Sequence, residues 1–149
     1  MTILTSAEVL ALVPQQRPMR FIDVIDEIDD EHILGRYTWK PEDCSGYAPG
    51  DDIVPAFKLI EMGAQIGSVA WCIYHMRLTM SPDEIRQLVG FFTHIDDVEF
   101  FETVRGEDTV ACQASFDGEG YFRAGKLLSR VEIQFVGGPK DGRTVMTGL

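Results

Sequence analysis

PAFKLIEMGAQIGSVAWCIYHM, residues 55–76, is the most apolar stretch of the chain, and it decides the fold that we expect. After Lys58 its only carboxylate is Glu61, and Gln65 follows one helical turn later on the same face. Pro55 suits the first position of a helix, so the pattern predicts a helix of about 33 Å. Because polar side chains and two glycines interrupt the apolar run, it fits a buried helix better than a membrane span.

Glu61 is the residue in this stretch that most needs an explanation. A carboxylate among apolar neighbours is costly unless it is hydrogen-bonded or its pKa rises. Because a raised carboxylate pKa suits proton transfer near neutral pH, we interpret Glu61 as a functional acid. The alternative is an exposed stripe on an ordinary amphipathic helix. That stripe would be thin, since its other strongly polar members are Lys58, Gln65 and Ser68.

Size and composition indicate one globular domain, residues 1–149, without nucleic-acid partners. The chain carries 24 acidic and 13 basic residues, a net charge of −11, whereas a phosphate backbone requires a basic face. Three widely spaced cysteines and three scattered histidines predict neither a disulfide framework nor a metal site. The N-terminal residues lack the basic region and cleavage site of an export signal, so we expect a cytoplasmic protein.

The remaining segments predict a sheet around the long helix. Ser6–Leu12 reads as a short helix, Arg20–Ile25 and His32–Trp39 as a pair of strands, and Ser81–Glu84 as the start of a helical turn. Further strand-like segments are LVGFFTHI (88–95), VEFFETV (98–104), DTVACQASFDG (108–118), YFRAGKLLSRVEIQFV (121–136) and RTVMTG (143–148). One buried helix with six or so mostly antiparallel strands predicts an α+β fold of the hot-dog type.

Three segments resemble the FabA/FabZ-type β-hydroxyacyl-(acyl carrier protein) dehydratases. They are VPQQRPMRFIDVIDEI (13–28), GYAPGDDIVPAFKLIEMGAQ (46–65) and FFTHIDDVEF (91–100). The first follows the family's LPHRYPFLLVDRV-like segment, and the second follows its GHFPGxPxxPGxxxxExxxQ-like signature without a gap. The resemblance implies a hot-dog homodimer with an acyl tunnel at the subunit interface. It further implies a (3R)-3-hydroxyacyl thioester substrate on acyl carrier protein or coenzyme A, in fatty-acid or polyketide-type metabolism, and no cofactor.

The resemblance also assigns site residues. The family's catalytic acid falls on Glu61 and its partner glutamine on Gln65, the pair already selected from the helix pattern. The glycine whose amide polarises the thioester carbonyl falls on Ala56, and Gly50 completes the set of substrate-binding positions. The catalytic histidine falls on Tyr47. A tyrosine with a pKa near 10 is a poor base at neutral pH, so this substitution matters.

Three explanations of Tyr47 remain open at this point. Tyr47 holds substrate or water while Glu61 carries out all the proton transfer, His94 replaces the lost base, or the subunit binds acyl chains without dehydrating them. The third case describes an impaired acyl-binding subunit that pairs with an active paralogue. A hot-dog thioesterase, in which Glu61 activates water, is a further alternative.

Other residues receive simpler interpretations. Arg17, Arg20 and Lys58 are candidates for contacting the phosphates of the carrier. We interpret His32 and His75 as structural residues, and Phe57, Trp71 and Tyr74 as core residues.

Overall fold

The computed structural model describes residues 4–44, 52–88, 95–117, 120–123 and 126–149. The helices are α1 (Ser6–Leu12), α2 (Ala56–Ala64), α3 (Trp71–Met76) and α4 (Pro82–Arg86), with a 3₁₀ turn at Pro41–Cys44 and a π-helical segment at Gln65–Ala70. The strands are β1 (Val24–Ile28), β2 (His32–Thr38), β3 (Glu99–Phe100), β4 (Thr109–Ser115), β5 (Tyr121–Arg123), β6 (Lys126–Leu128), β7 (Arg130–Phe135) and β8 (Thr144–Gly148).

The main sheet has six strands in the order β1-β2-β4-β7-β8-β3, and its neighbours pair antiparallel. β5 and β6 form a separate two-stranded hairpin. Burial alternates along β2 and β4, as expected for strands with one face on the core. The central helix packs on that face. The predicted α+β arrangement of an antiparallel sheet around one long helix is confirmed.

The central helix runs continuously through α2, the π segment and α3, from Ala56 to Met76. It lies very close to the sheet at Gly67, where an added Cβ would be 2.5 Å from Cγ1 of Val131. The Gly67 carbonyl also accepts a hydrogen bond of 2.8 Å from the hydroxyl of Ser129, beside β7. The sequence predicted an uninterrupted helix, and the π turn in its middle is a finding that helical periodicity alone does not reveal.

Several predicted boundaries differ from the structure. Helix Ser6–Leu12 has the predicted bounds, and Thr5 with Glu8 forms its capping box. The first strand begins at Val24 rather than Arg20, because the Phe21 N–H is bonded to the central helix instead of a neighbouring strand. Within residues 98–104 the strand is limited to β3, and residues 121–136 divide into three strands. Most of the predicted strand 88–95 lies outside the described residues.

His75, near the end of α3, is buried in an aromatic cluster. It is 8 % exposed, and its ring lies 5.2 Å from Trp71, 5.3 Å from Phe116 and 5.1 Å from Phe122, measured between centroids. Among the described residues its Nε2 has no hydrogen-bond partner. Burial lowers the pKa of His75, against a smaller opposing effect of the Asp30 carboxylate. The interpretation of His75 as a structural residue agrees with this position.

We expect His75→Phe to reduce the decrease in the free energy of unfolding that the natural chain shows as pH falls below 6.5. Below pH 6.5 the unfolded chain binds a proton at residue 75 that the native state does not bind. Stability therefore falls as pH decreases from 6.5 through the lowered pKa, by at most about 1.4 kcal/mol per pH unit. Urea midpoints between pH 5 and pH 8, at fixed protein concentration, measure the effect.

The matched control for this measurement is His32→Asn, for which the opposite behaviour is expected. Hydrogen bonds and charge from Glu27 and Asp29 raise the pKa of His32. Its contribution is therefore complete below pH 6.5 and is lost as pH rises through the raised pKa. An unchanged decrease at low pH in His75→Phe would contradict the assignment of acid sensitivity to His75.

Candidate active site

Gln65 is the fixed centre of the site. It is fully buried, at 0 % exposure. Its Nε2 donates to the Met19 carbonyl at 2.6 Å and to Oε1 of Glu61 at 2.9 Å. Its Oε1 accepts from the Phe21 N–H at 2.8 Å. Both amide hydrogens are thus in use, and Gln65 is suited to orienting Glu61. Its predicted role as a substrate contact stays a prediction.

Glu61 is half-buried and lines a cavity of about 1130 Å³. The bond from Gln65 holds one carboxylate oxygen and fixes the orientation of the group. The polar residues near Glu61 on the helix do not form a solvent-exposed stripe. Gln65 is buried, and Lys58 is half-buried. The Lys58 Nζ donates to the Asp43 carbonyl at 2.6 Å. The geometry is that of an oriented acid facing an apolar space.

The cavity follows one face of the central helix. From Glu61 its wall continues at intervals of three or four residues, through Ala64, Ser68 and Cys72 to Met76, a span of about 22 Å at 1.5 Å per residue. The opposite wall comes mainly from aliphatic side chains of α4, the β5–β6 hairpin, β7 and β8. This long, mostly apolar space can hold an alkyl chain that ends at the Glu61 carboxylate.

Ala56 occupies the first position of α2, directly after Pro55, and it is exposed. No side chain of the described residues caps this end of the helix. Backbone N–H groups in a first helical turn lack partners within the helix and carry partial positive charge. They are therefore able to polarise a carbonyl oxygen.

Tyr47, Gly50 and His94 lie outside the described residues. The chain is well anchored on both sides of the segment that contains Tyr47 and Gly50. The thiol of Cys44 donates to the Asp52 carbonyl, with the sulfur 3.2 Å from the oxygen, and Lys58 holds the Asp43 carbonyl. Both ends of the segment are thus fixed near the start of the central helix.

The three cationic candidates differ in their availability. Arg17 is exposed. Lys58 is bonded to Asp43. The Arg20 guanidinium is part-buried and occupied, because it donates to the carbonyls of Leu10, Val13 and Gln15. Arg20 therefore has a structural role that its sequence context did not reveal, and it does not remain free to bind a phosphate.

The main-chain partners of Gln65 were not predicted from the sequence. Met19 and Phe21 are separated from it by more than forty positions, and no local pattern indicates such contacts. Within the described residues no group of three or more His, Cys, Asp or Glu is arranged to hold a metal ion. The helices described there include none long and apolar enough to cross a membrane.

Comparisons with known proteins find similar sequences that cover most of this chain. A 3-hydroxyacyl-[acyl-carrier-protein] dehydratase FabZ of Roseiflexus sp. (strain RS-1) is 30 % identical over 145 residues, covering 89 % of this chain and 96 % of the relative. The FabZ of Lactococcus lactis subsp. lactis (strain IL1403) is 25 % identical over 146 residues, covering 97 % of this chain and 86 % of the relative. No family model matches the chain.

Solved structures confirm the predicted hot-dog fold. A chain of the dehydratase heterocomplex ApeI:P from Xenorhabdus doucetiae superimposes with a TM-score of 0.70 at 18 % identity, covering 98 % of this chain and 88 % of the other. A hypothetical thioesterase with coenzyme A from Streptococcus pneumoniae TIGR4 gives a TM-score of 0.53 at 13 % identity, covering 83 % and 78 %. The same fold therefore occurs in dehydratases and in proteins named thioesterases.

Proposed function

This chain belongs to the FabZ family of 3-hydroxyacyl-[acyl-carrier-protein] dehydratases, and from that premise we propose that it removes water from a (3R)-3-hydroxyacyl thioester. The observation that carries the proposal is the Glu61 carboxylate, oriented by Gln65 at the wall of the long apolar cavity. The acyl chain lies in that cavity, and the thioester is carried on acyl carrier protein or coenzyme A. Arg17, which is exposed and already interacts with Tyr37 and Asp43, is the cation assigned here to the carrier's phosphate.

Glu61 carries out both proton transfers in this proposal. Its carboxylate takes the proton from the carbon next to the thioester carbonyl, and the electron pair moves onto the carbonyl oxygen. The N–H groups at the start of α2, beginning with Ala56, stabilise that negative charge. The pair then forms the carbon–carbon double bond, the carbon–oxygen bond at C3 breaks, and Glu61 returns its proton to the leaving hydroxyl as water. Tyr47 holds substrate or water.

The working form in this proposal is a homodimer whose pocket takes residues from both copies. β3 lies at one edge of the main sheet, and β1 lies at the other. An unpaired edge is a surface suited to pairing. Phe100 and Phe101 at the β3 edge are 43 % and 55 % exposed. Phe57 is 55 % exposed as well, so its interpretation as a core residue was wrong. A second copy covering this edge would bury apolar surface that a single copy leaves in water.

An acyl-binding subunit without dehydratase activity is the second candidate. Tyr47 stands where the family has its catalytic histidine, and the similar ApeI:P chain comes from a heterocomplex. In this alternative the cavity holds the acyl chain while an active paralogue supplies the chemistry. Glu61 and Gln65 would then serve only to shape the cavity.

Product analysis with 3-hydroxybutyryl thioesters of coenzyme A and acyl carrier protein tests the proposal. We expect a crotonyl thioester from the forward reaction and water addition to a crotonyl thioester in the reverse direction. Release of the free thiol would instead identify a thioesterase. Binding without any conversion would overturn the dehydratase proposal in favour of the acyl-binding subunit.

A further inference from the structure

Besides Glu61, the cavity wall contains a polar side chain with a buried atom that lacks a hydrogen-bond partner among the described residues. Gln15 lines the same cavity as Glu61, and its Oε1 is buried without a hydrogen-bond partner among the described residues. Trp39 Nε1 and His75 Nε2 are also unpartnered there, but neither residue lines this cavity. A buried acceptor without a donor is unfavourable, so the Gln15 oxygen is suited to a donor that enters with a ligand.

The backbone around Gln15 is fixed relative to the catalytic acid. The Arg20 guanidinium donates to the Gln15 carbonyl at 3.1 Å and to the Val13 carbonyl at 3.2 Å. A few residues later, the Met19 carbonyl accepts from Gln65 Nε2 at 2.6 Å. Gln65 also orients Glu61. The backbone that carries Gln15 and the Glu61 carboxylate are therefore connected through Arg20, Met19 and Gln65.

We propose that Gln15 Oε1 accepts a hydrogen bond from the 3-hydroxyl of the bound acyl thioester, and that it makes the site selective for 3-hydroxyacyl over saturated acyl chains. This inference rests on the proposed function for the identity of the ligand. Most residues that line the cavity are apolar, including Leu12 and Pro14, which lie close to Gln15 in the chain. A saturated chain leaves the oxygen buried and unpartnered, and a site built to bond a hydroxyl discriminates against ligands that lack it.

The contact also gives the hydroxyl the orientation that water loss requires. A hydroxyl has one hydrogen and two lone pairs. When its hydrogen is bonded to Gln15, a lone pair is free to face Glu61 and receives the proton. The carbon–oxygen bond breaks with its electron pair on oxygen, and the water formed keeps its bond to Gln15. Gln15 neither gives nor takes a proton, and it acts as a substrate-binding residue.

Binding of two unreactive thioethers tests this role without turnover. S-(3-hydroxybutyl)pantetheine and S-butylpantetheine differ only in the hydroxyl, and neither has an acidified carbon. We expect the natural chain to prefer the hydroxylated thioether by about three- to tenfold, the equivalent of one hydrogen bond. Gln15→Met, similar in length and lacking the acceptor, is expected to abolish the preference while the Kd for S-butylpantetheine stays within about twofold. The kcat/KM for a 3-hydroxybutyryl thioester should fall by the same factor as the preference.

Gln16→Met is the matched control. Gln16 is exposed, and its amide donates to the Pro14 carbonyl, so the preference for the hydroxyl should persist. If Gln15→Met lowers the urea midpoint, the smaller Gln15→Ala variant repeats the test. Retention of the full preference in the Gln15 variants, or an equal loss of binding for both thioethers, would overturn the inference.

The proposed dehydratase function and the proposed Gln15 contact are contradicted by different results. A natural chain that prefers the hydroxylated thioether through Gln15 but forms no crotonyl product supports the Gln15 contact and overturns the dehydratase function. A natural chain that forms crotonyl product, with a preference that Gln15→Met leaves unchanged, supports the dehydratase function and overturns the contact.

Discussion

Glu61→Gln is expected to abolish water loss from 3-hydroxyacyl thioesters and water addition to the enoyl product. In the proposed reaction one carboxylate moves both protons, and an amide can move neither. A positioned acid or base typically contributes about 10²–10⁴-fold to the rate. We expect the kcat loss to be at least at the upper end of that range, because both transfers depend on Glu61.

The fold should survive this substitution. Glutamine has nearly the same volume as glutamate, and its side-chain oxygen can still accept the bond from Gln65 Nε2 that is 2.9 Å long in the natural chain. Urea midpoints should therefore change little, and binding of the pantetheine thioethers should persist. Glu31→Gln is the matched control, since Glu31 is exposed in the turn before β2, away from the cavity lining. Full turnover in Glu61→Gln would place the chemistry at another residue.

The features that sequence predicted well are local ones. A capping residue and its partner three positions later define the start of α1. The pair Glu61 and Gln65 shares a helix face because residues four apart lie one above the other. Both depend only on spacing along one element, so the hydrogen bond between these two side chains agrees with a pattern that can be read without tertiary structure.

The parts that could not be predicted depend on distant contacts. Phe21 reads as a strand residue, but its N–H is bonded to Gln65, which shortens the first strand. From the sequence, Arg20 was a candidate for binding a phosphate. In the structure its guanidinium donates to three backbone carbonyls within and just after α1. Gln15 has no local signal at all. Its significance comes from a cavity whose walls are drawn from most of the chain.

Tyr47→His addresses the position on which the resemblance to the family places the catalytic histidine. The sequence from Gly46 to Gln65 follows the family signature without insertion, and the described residues on either side of Tyr47 are held together by the Cys44–Asp52 hydrogen bond. By the resemblance to the family signature, an introduced imidazole would stand at the position of the family's base. Its pKa near 6.5 suits proton abstraction at neutral pH, whereas a tyrosine is almost entirely protonated there.

Under the proposed function, Tyr47→His is expected to lower kcat/KM for a 3-hydroxyacyl thioester by about ten- to hundredfold, the equivalent of one hydrogen bond to a developing charge. The phenol hydroxyl would be lost, and Glu61 already performs both transfers. Tyr47→Phe should then show a similar loss, because it removes only that hydroxyl. The measurement is steady-state turnover with the 3-hydroxybutyryl thioester. Urea midpoints of both variants check that the fold is retained.

A gain of activity in Tyr47→His would contradict the proposed role of Tyr47. If the natural chain is nearly inactive and Tyr47→His raises dehydration by about 10²–10⁴-fold, the histidine is the missing base and the natural chain is an acyl-binding subunit. We expect the loss rather than the gain, because Gln65 is bonded to Glu61 and the helix start after Pro55 has no side-chain cap, which is the arrangement that the proposed reaction uses. A half-buried carboxylate with a dedicated buried amide partner is costly to keep without a use, and that cost favours a chain that is active with tyrosine at position 47.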